Sequence, residues 1–284
     1  MNYRHSYHAG NFADVLKHVV LALSIAYFRQ KATPFRVIDT HAGVGAYDLH
    51  THEAQKTGEW EAGIGRLLAS PLPEPVTALL EPYLAVIAKM NPDGALRHYP
   101  GSPLLARHLM RPTDILVANE LHPEDHELLE ELFARDPATK VMSIDGYTAL
   151  RSLLPPKERR GIVLVDPPFE EPGELQRLVR GLKDAAQRFA TGTVILWYPI
   201  KDERAVQAFH RDVAALGLQK VLAVELTIRG TRNPDLLNGT GLVILNPPYP
   251  LRQQLELMLP VLSERLAQGP GAAARLDWIS PERA

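Results

Sequence analysis

Apolar positions along this chain fall into two periods. Leu16, Val19, Val20, Leu23 and Tyr27 recur at the spacing of one helix face. Asn11 stands where an N-cap would, and Asp14 places a carboxylate in the first turn. Beyond this helix come short β-rich runs at 36–40, 115–121, 141–145, 162–166, 193–198, 221–226 and 242–246. Helical patterns over 123–135, 173–189 and 205–216 separate most of them. Strands alternating with helices predict an α/β fold with a mostly parallel sheet of seven strands.

The gap between the first two strands is too long for one crossover helix. Residues 46–114 hold two weakly helical pieces, 58–69 and 75–90. We read 46–110 as a small helical insertion that forms a wall of the active site. Segments 1–45 and 111–284 then make up the main domain. The tail from Gly269 is rich in Gly, Ala and Pro and is expected to fray.

Composition narrows the class. The net charge of −2 does not announce a polyanionic partner, and 45% apolar content is ordinary for a globular protein. Charge is uneven, however. Residues 1–36 carry five bases, Arg4, Lys17, Arg29, Lys31 and Arg36, against one acid, Asp14, a balance of +4. Such a patch suits phosphates. The absence of cysteine excludes disulfides and thiolate metal sites. The longest apolar run, Val19 to Phe28, is too short to span a bilayer, and the N-terminus lacks a signal peptide's apolar core. A cytoplasmic monomer with no membrane segment is expected.

Candidate chemistry sits at strand ends. The first strand runs into His41-Ala42-Gly43-Val44-Gly45, a glycine turn that lets backbone approach a nucleoside. Glu120 ends the second strand, where an acid binds ribose hydroxyls. Asp145-Gly146 ends the third, an acid for an adenine amine with room for the ring. Asp166-Pro167-Pro168-Phe169 follows the fourth. There the carboxylate and the Pro167 carbonyl can accept hydrogens from a planar amine. The prolines fix φ, and Phe169 offers a ring face. Asp-Pro is also a common strand-ending turn, so the order of the four acts as the signal rather than the tetrapeptide alone. That order is the layout of S-adenosylmethionine-dependent amino-methyltransferases. Asn246-Pro247-Pro248-Tyr249 is a near-twin. In the usual seven-stranded methyltransferase sheet the seventh strand is antiparallel, so Asn246 points away from the cofactor.

Tyr3, Arg4 and His5 open a segment dense in aromatic, imidazole and cationic groups, suited to bases and phosphates. With Lys17 they are the candidate RNA contacts. Asp14 and His18 lie one turn apart and are placed to pair. The histidines lack a compact ligand spacing, and no metal is expected.

With these residues assembled, the chain closely resembles the RlmJ family, bacterial adenine-N6 methyltransferases of large-subunit (23S) ribosomal RNA. The resemblance rests on Tyr3-Arg4-His5, on the block from His8 to His18, on Asp39-Thr40-His41-Ala42-Gly43 and on Tyr99-Pro100-Gly101-Ser102-Pro103. It continues in Asn119-Glu120-Leu121-His122, Asp145-Gly146 and Asp166-Pro167-Pro168-Phe169-Glu170. It implies a Rossmann-like methyltransferase sheet with a helical insertion. It also implies S-adenosylmethionine contacts at His18, His41, Ser102, Glu120, Asp145, Gly146 and Asp166, and an RNA contact at Tyr3. Phe169 stands where the family often has Tyr, so ring stacking is kept and a phenolic hydroxyl is not. The rivals are a DNA adenine methyltransferase, a catalytically inactive RNA-binding relative and a nicotinamide-dependent oxidoreductase.

Overall fold

A computed structural model describes residues 5–231 and 233–282. A 3-10 turn (His5–Tyr7) precedes α1 (Phe12–Arg29) and β1 (Arg36–Asp39). Then come β2 (Ala46–Asp48), α2 (His52–Thr57), a π-helical turn (Glu61–Gly65), α3 (Arg66–Leu68), α4 (Glu74–Met90), β3 (His98–Pro100) and α5 (Ser102–Leu109). The alternating part follows with β4 (Ile115–Asn119), α6 (Pro123–Phe133), β5 (Thr139–Met142), α7 (Gly146–Leu153), β6 (Gly161–Val165) and α8 (Glu174–Arg188). It ends with β7 (Thr193–Ile200), α9 (Glu203–Ala215), β8 (Val221–Thr227), β9 (Gly239–Leu245), α10 (Leu251–Leu266) and β10 (Ala273–Ser280).

The main sheet has the order β10-β8-β9-β7-β6-β1-β4-β5. β1 pairs in parallel with β4 and β6, and β9 lies antiparallel between β7 and β8. The seven expected strands take the expected places. An eighth corrects the count: β10 pairs antiparallel with β8 from Ala273 to Ser280, so the tail does not fray as its composition suggested. Its Ala274, Leu276 and Trp278 pack on the core, a two-residue period that the glycines and prolines before it obscure. α10 is a further element without a sequence prediction. Pro260 interrupts its pattern, yet Leu255, Met258, Leu259 and Leu262 bury one face.

Helices cover both faces of the sheet. In β6, Ile162 and Leu164 join one core and Val163 and Val165 the other. The first core holds α1, α4, α5 and α10, and the second α7, α8 and α9. This alternation sets the site, because Asp166 is two residues beyond Leu164 and so falls on the α1 side. Asp39, two beyond Val37, falls there too.

α1 is buried almost all round, including Lys17 and His18. A surface helix would show a polar stripe. Here the helices of the 46–110 stretch cover the face that the sheet leaves open, and Leu67, Leu80 and Tyr83 share one core with Leu16 and Val20. At the start of α1 the contact is backbone on backbone. Ile64 N–H donates to the Gly10 carbonyl (2.9 Å), and a Cβ on Gly63 would lie 2.1 Å from that oxygen.

Candidate active site

The carboxyl ends of β1, β4 and β6 open onto a cavity of about 270 Å³. Gly43 lies at φ 58°, a left-handed turn after β1. Its N–H donates to Glu120 (2.8 Å), and the other Glu120 oxygen accepts from His122 N–H (2.8 Å). Glu120 is thus a buried carboxylate clamped at the cavity wall. Asp145 caps α7 through Thr148 N–H (2.8 Å), and its second oxygen meets Arg177 (3.4 Å). Gly146 is a close approach: a Cβ there would meet the His41 ring at 2.5 Å. His41 and Ser102 line the same space. The Ser102 hydroxyl donates to buried Asp39 (2.6 Å), whose carboxyl burial pushes up to about 7.

Asp166 and Pro167 line the same cavity, with Lys17 from α1 against Asp166. The Lys17 ammonium bridges Asp166 and Asp14, the latter at 2.8 Å. Asp14 also accepts from Gly10 N–H and meets His5 Nε2, both at 2.9 Å. Burial opposes both charges. The two carboxylates outweigh it and raise the Lys17 pKa, while His5 and Lys17 hold Asp14 well below the usual carboxylate range. Lys17 therefore sits inside this network, buried, and is not a surface phosphate contact as its sequence position suggested. His18, expected to pair with Asp14, is 4.0 Å from it. Its ring stacks on Tyr99 instead, and burial pushes its pKa down to about 3, so it is neutral.

The segment before α1 is tied to the 46–110 stretch. His8 meets both Glu59 oxygens at 3.0 Å, Asn11 donates to Glu59 (2.9 Å), and the Tyr7 carbonyl accepts from Thr57. These ties bring His5 to the cavity rim, its ring 5.3 Å from that of Tyr47. Tyr3 and Arg4 lie outside the described residues.

Residues 32–280 match the family model described as ribosomal RNA large subunit methyltransferase D, RlmJ. Curated relatives named ribosomal RNA large subunit methyltransferase J, from Escherichia coli (strain K12) and Haemophilus influenzae (strain Rd), are 41% and 39% identical. Each alignment covers 99% of this chain and 100% of the relative. The chain belongs to the RlmJ family. A crystal structure of a Legionella pneumophila protein superposes with a TM-score of 0.86 at 33% identity, over 95% of this chain and 98% of that one.

For this RlmJ-family chain the structure gathers His5, Lys17, His18, His41, Gly43, Ser102, Glu120, Asp145, Gly146, Asp166 and Pro167 around one cavity. Phe169 is the exception. Its backbone is at φ 54°, and its half-buried ring packs edge-on against Trp197 (5.5 Å, 83°) without lining the cavity. Asn246 lies at the end of the sheet opposite the cavity, beside the start of β7, its amide donating to the Ala190 and Gly192 carbonyls (both 2.9 Å). Three rim residues had no sequence signal. Tyr147 donates to Glu174 (2.5 Å), and Arg177 lies 4.8 Å over the Tyr147 ring. They come from the first turns of α7 and α8, and only the packing of those helices joins them. Among the described residues, no three His, Asp or Glu side chains gather as a metal site, and no helix is long and apolar enough to cross a membrane.

Proposed function

We propose that this protein is an S-adenosylmethionine-dependent methyltransferase that modifies N6 of an adenine in large-subunit ribosomal RNA. The observation that supports it most is the place of Asp166-Pro167. An acceptor pair for a planar amine faces a nucleoside-sized cavity walled by Gly43, Glu120 and Gly146. The family and the names of the bacterial relatives supply the RNA. A cytoplasmic monomer is the form we assign.

The residues present suit the cofactor. Gly146 and Gly43 line the cavity with bare backbone, Glu120 offers acceptors at the ribose end, and His18, whose buried Nε2 has no partner, lines the same cavity. When bound, S-adenosylmethionine supplies an electrophilic methyl group. The protein's own part is to present the amine. Lys17 holds Asp166 Oδ2, which leaves Oδ1 to accept one N6 hydrogen, and the Pro167 carbonyl accepts the other. This draws the nitrogen toward a tetrahedral form with its lone pair free. The target adenine must be single-stranded or extruded. Phe169, braced by Trp197, is the ring we assign to stack on it. Positioning supplies most of the rate. His5 and the segment before it we assign to the RNA chain.

Transfer of labelled methyl to 23S ribosomal RNA and to duplex DNA, with N6-methyladenosine read by mass spectrometry, tests this reading. Label in RNA that is lost in Asp166→Ala is the expected result. Label in DNA alone would make the protein a DNA methyltransferase. Cofactor binding without transfer to any RNA would leave only a binding protein.

A further inference from the structure

Two buried tyrosines from the insertion run in a line to the cavity. Tyr83 on α4 and Tyr99 on β3 are both fully buried. Their hydroxyls are 2.9 Å apart, and the Tyr99 hydroxyl is 2.9 Å from His18 Nδ1. Burial holds both phenols well above their ordinary pKa, so each hydroxyl keeps its proton. Proton count then sets the direction of the chain. If His18 Nδ1 carried a hydrogen, Tyr99 would donate to Tyr83, and the Tyr83 O–H would be buried with no acceptor among its contacts. That is a costly loss. In the other direction Tyr83 donates to Tyr99 and Tyr99 donates to Nδ1, so both phenols are satisfied and the one donor left over is Nε2–H, on a residue of the cavity wall where a ligand can take it. The neutral imidazole then bears its hydrogen on Nε2.

His18 Nε2 is buried and unpartnered, since Asp14 at 4.0 Å is beyond hydrogen-bond reach. It belongs to a residue of the cavity wall, as does Ser102 at the start of α5, a helix end with no side-chain cap. A helix N-terminus and a free N–H beside one cavity suit an anionic group. We propose that Tyr99, backed by Tyr83, is a positioning residue for the cofactor. It fixes His18 as the Nε2–H tautomer and aims that N–H at the carboxylate of the cofactor's amino-acid moiety. This rests on the cofactor assignment made above. The stacked Tyr99 ring, 5.5 Å from the imidazole and 21° from parallel, holds the imidazole plane as well.

Two measurements test it. Nitrogen-15 spectra of histidine-labelled, cofactor-free protein should show His18 as a single neutral ring protonated on Nε2. A ring protonated on Nδ1 overturns the proposal. Calorimetric titration should then compare S-adenosylhomocysteine with 5′-methylthioadenosine, which lacks the amino-acid moiety. Tyr99→Phe should weaken the first about five- to tenfold and the second less than about twofold. Tyr83→Phe, a milder change, should weaken the first about two- to threefold in the same selective way. It decides the matter if Tyr99→Phe does not fold. Equal weakening of both ligands, or of neither, in a variant with wild-type melting behaviour reduces the tyrosines to core residues. Failure of the unaltered protein to bind either ligand would overturn the cofactor assignment, and the spectrum of His18 would still judge the tautomer.

Discussion

At the scale of single residues, two look-alike motifs separate by where their strands end. Asp166 follows β6 at the cavity, and Asn246 follows antiparallel β9 at the opposite end of the sheet. Asp166→Ala should lower methyl transfer by roughly a hundredfold or more, since the amine loses an acceptor in near-attack geometry. Asn246→Ala should leave transfer unchanged and lower stability by about 1 kcal/mol in urea titration, because the Ala190 and Gly192 carbonyls lose their donor. Lys17 carries a different burden. Its removal leaves Asp166 without its cationic partner and Asp14 with His5 alone. Lys17→Met should cost about 3–5 kcal/mol, and a double-mutant cycle with Asp14→Asn should recover part of it. Zero coupling in that cycle would show that the ammonium does not serve both carboxylates. In the sequence Lys17 was only one base in a basic stretch. Helix spacing placed it a turn from Asp14, but not opposite Asp166, which is 149 residues away.

At the scale of elements, strong periodicity was legible and short irregular pieces were not. The α1 cap at Asn11 accepts from Ala13 and Asp14 N–H, as its residue type suggested. The strands of the parallel core fall within a few residues of their apolar runs. The pieces that escaped are those whose pattern is broken by proline or is only a turn long. α5 begins inside Pro-Gly-Ser-Pro and α10 contains Pro260, whereas the weakly helical piece at 58–69 is present but bends at Gly63 (φ −101°, ψ −109°). A Cβ there would lie 2.1 Å from the Gly10 carbonyl oxygen. Gly63→Ala should therefore cost about 1–3 kcal/mol and loosen the docking of residues 5–11. Hydrogen exchange at the Ile64 amide, which bonds the Gly10 carbonyl, reads this directly. Unchanged protection there would mean that the contact relaxes without strain.

At the scale of the whole molecule, the buried neutral His18 links stability to pH. Its folded pKa of about 3 lies below the ordinary 6.5. The unfolded chain thus takes up a proton that the folded one refuses, and stability is lost as pH falls below about 6.5. The melting temperature should drop between pH 7 and 5, and His18→Gln should flatten the drop. A slope that survives the substitution would assign the acid sensitivity to other groups. The sequence by itself determined the alternation of strands and helices, the order of glycine, Glu120, Asp145 and Asp166 at strand ends, and the resemblance to the family. All of these are local patterns of period, turn chemistry and motif. Only the tertiary structure decided the His5–Asp14–Lys17–Asp166 network, the Tyr83–Tyr99–His18 line, the edge-on seat of Phe169 and the pairing of β10. The physical reason is that burial changes what a charged or polar side chain does. A lysine or histidine is a surface group by composition. It becomes a fixed partner only when the sheet below α1 and the helices of the 46–110 stretch above it remove the water.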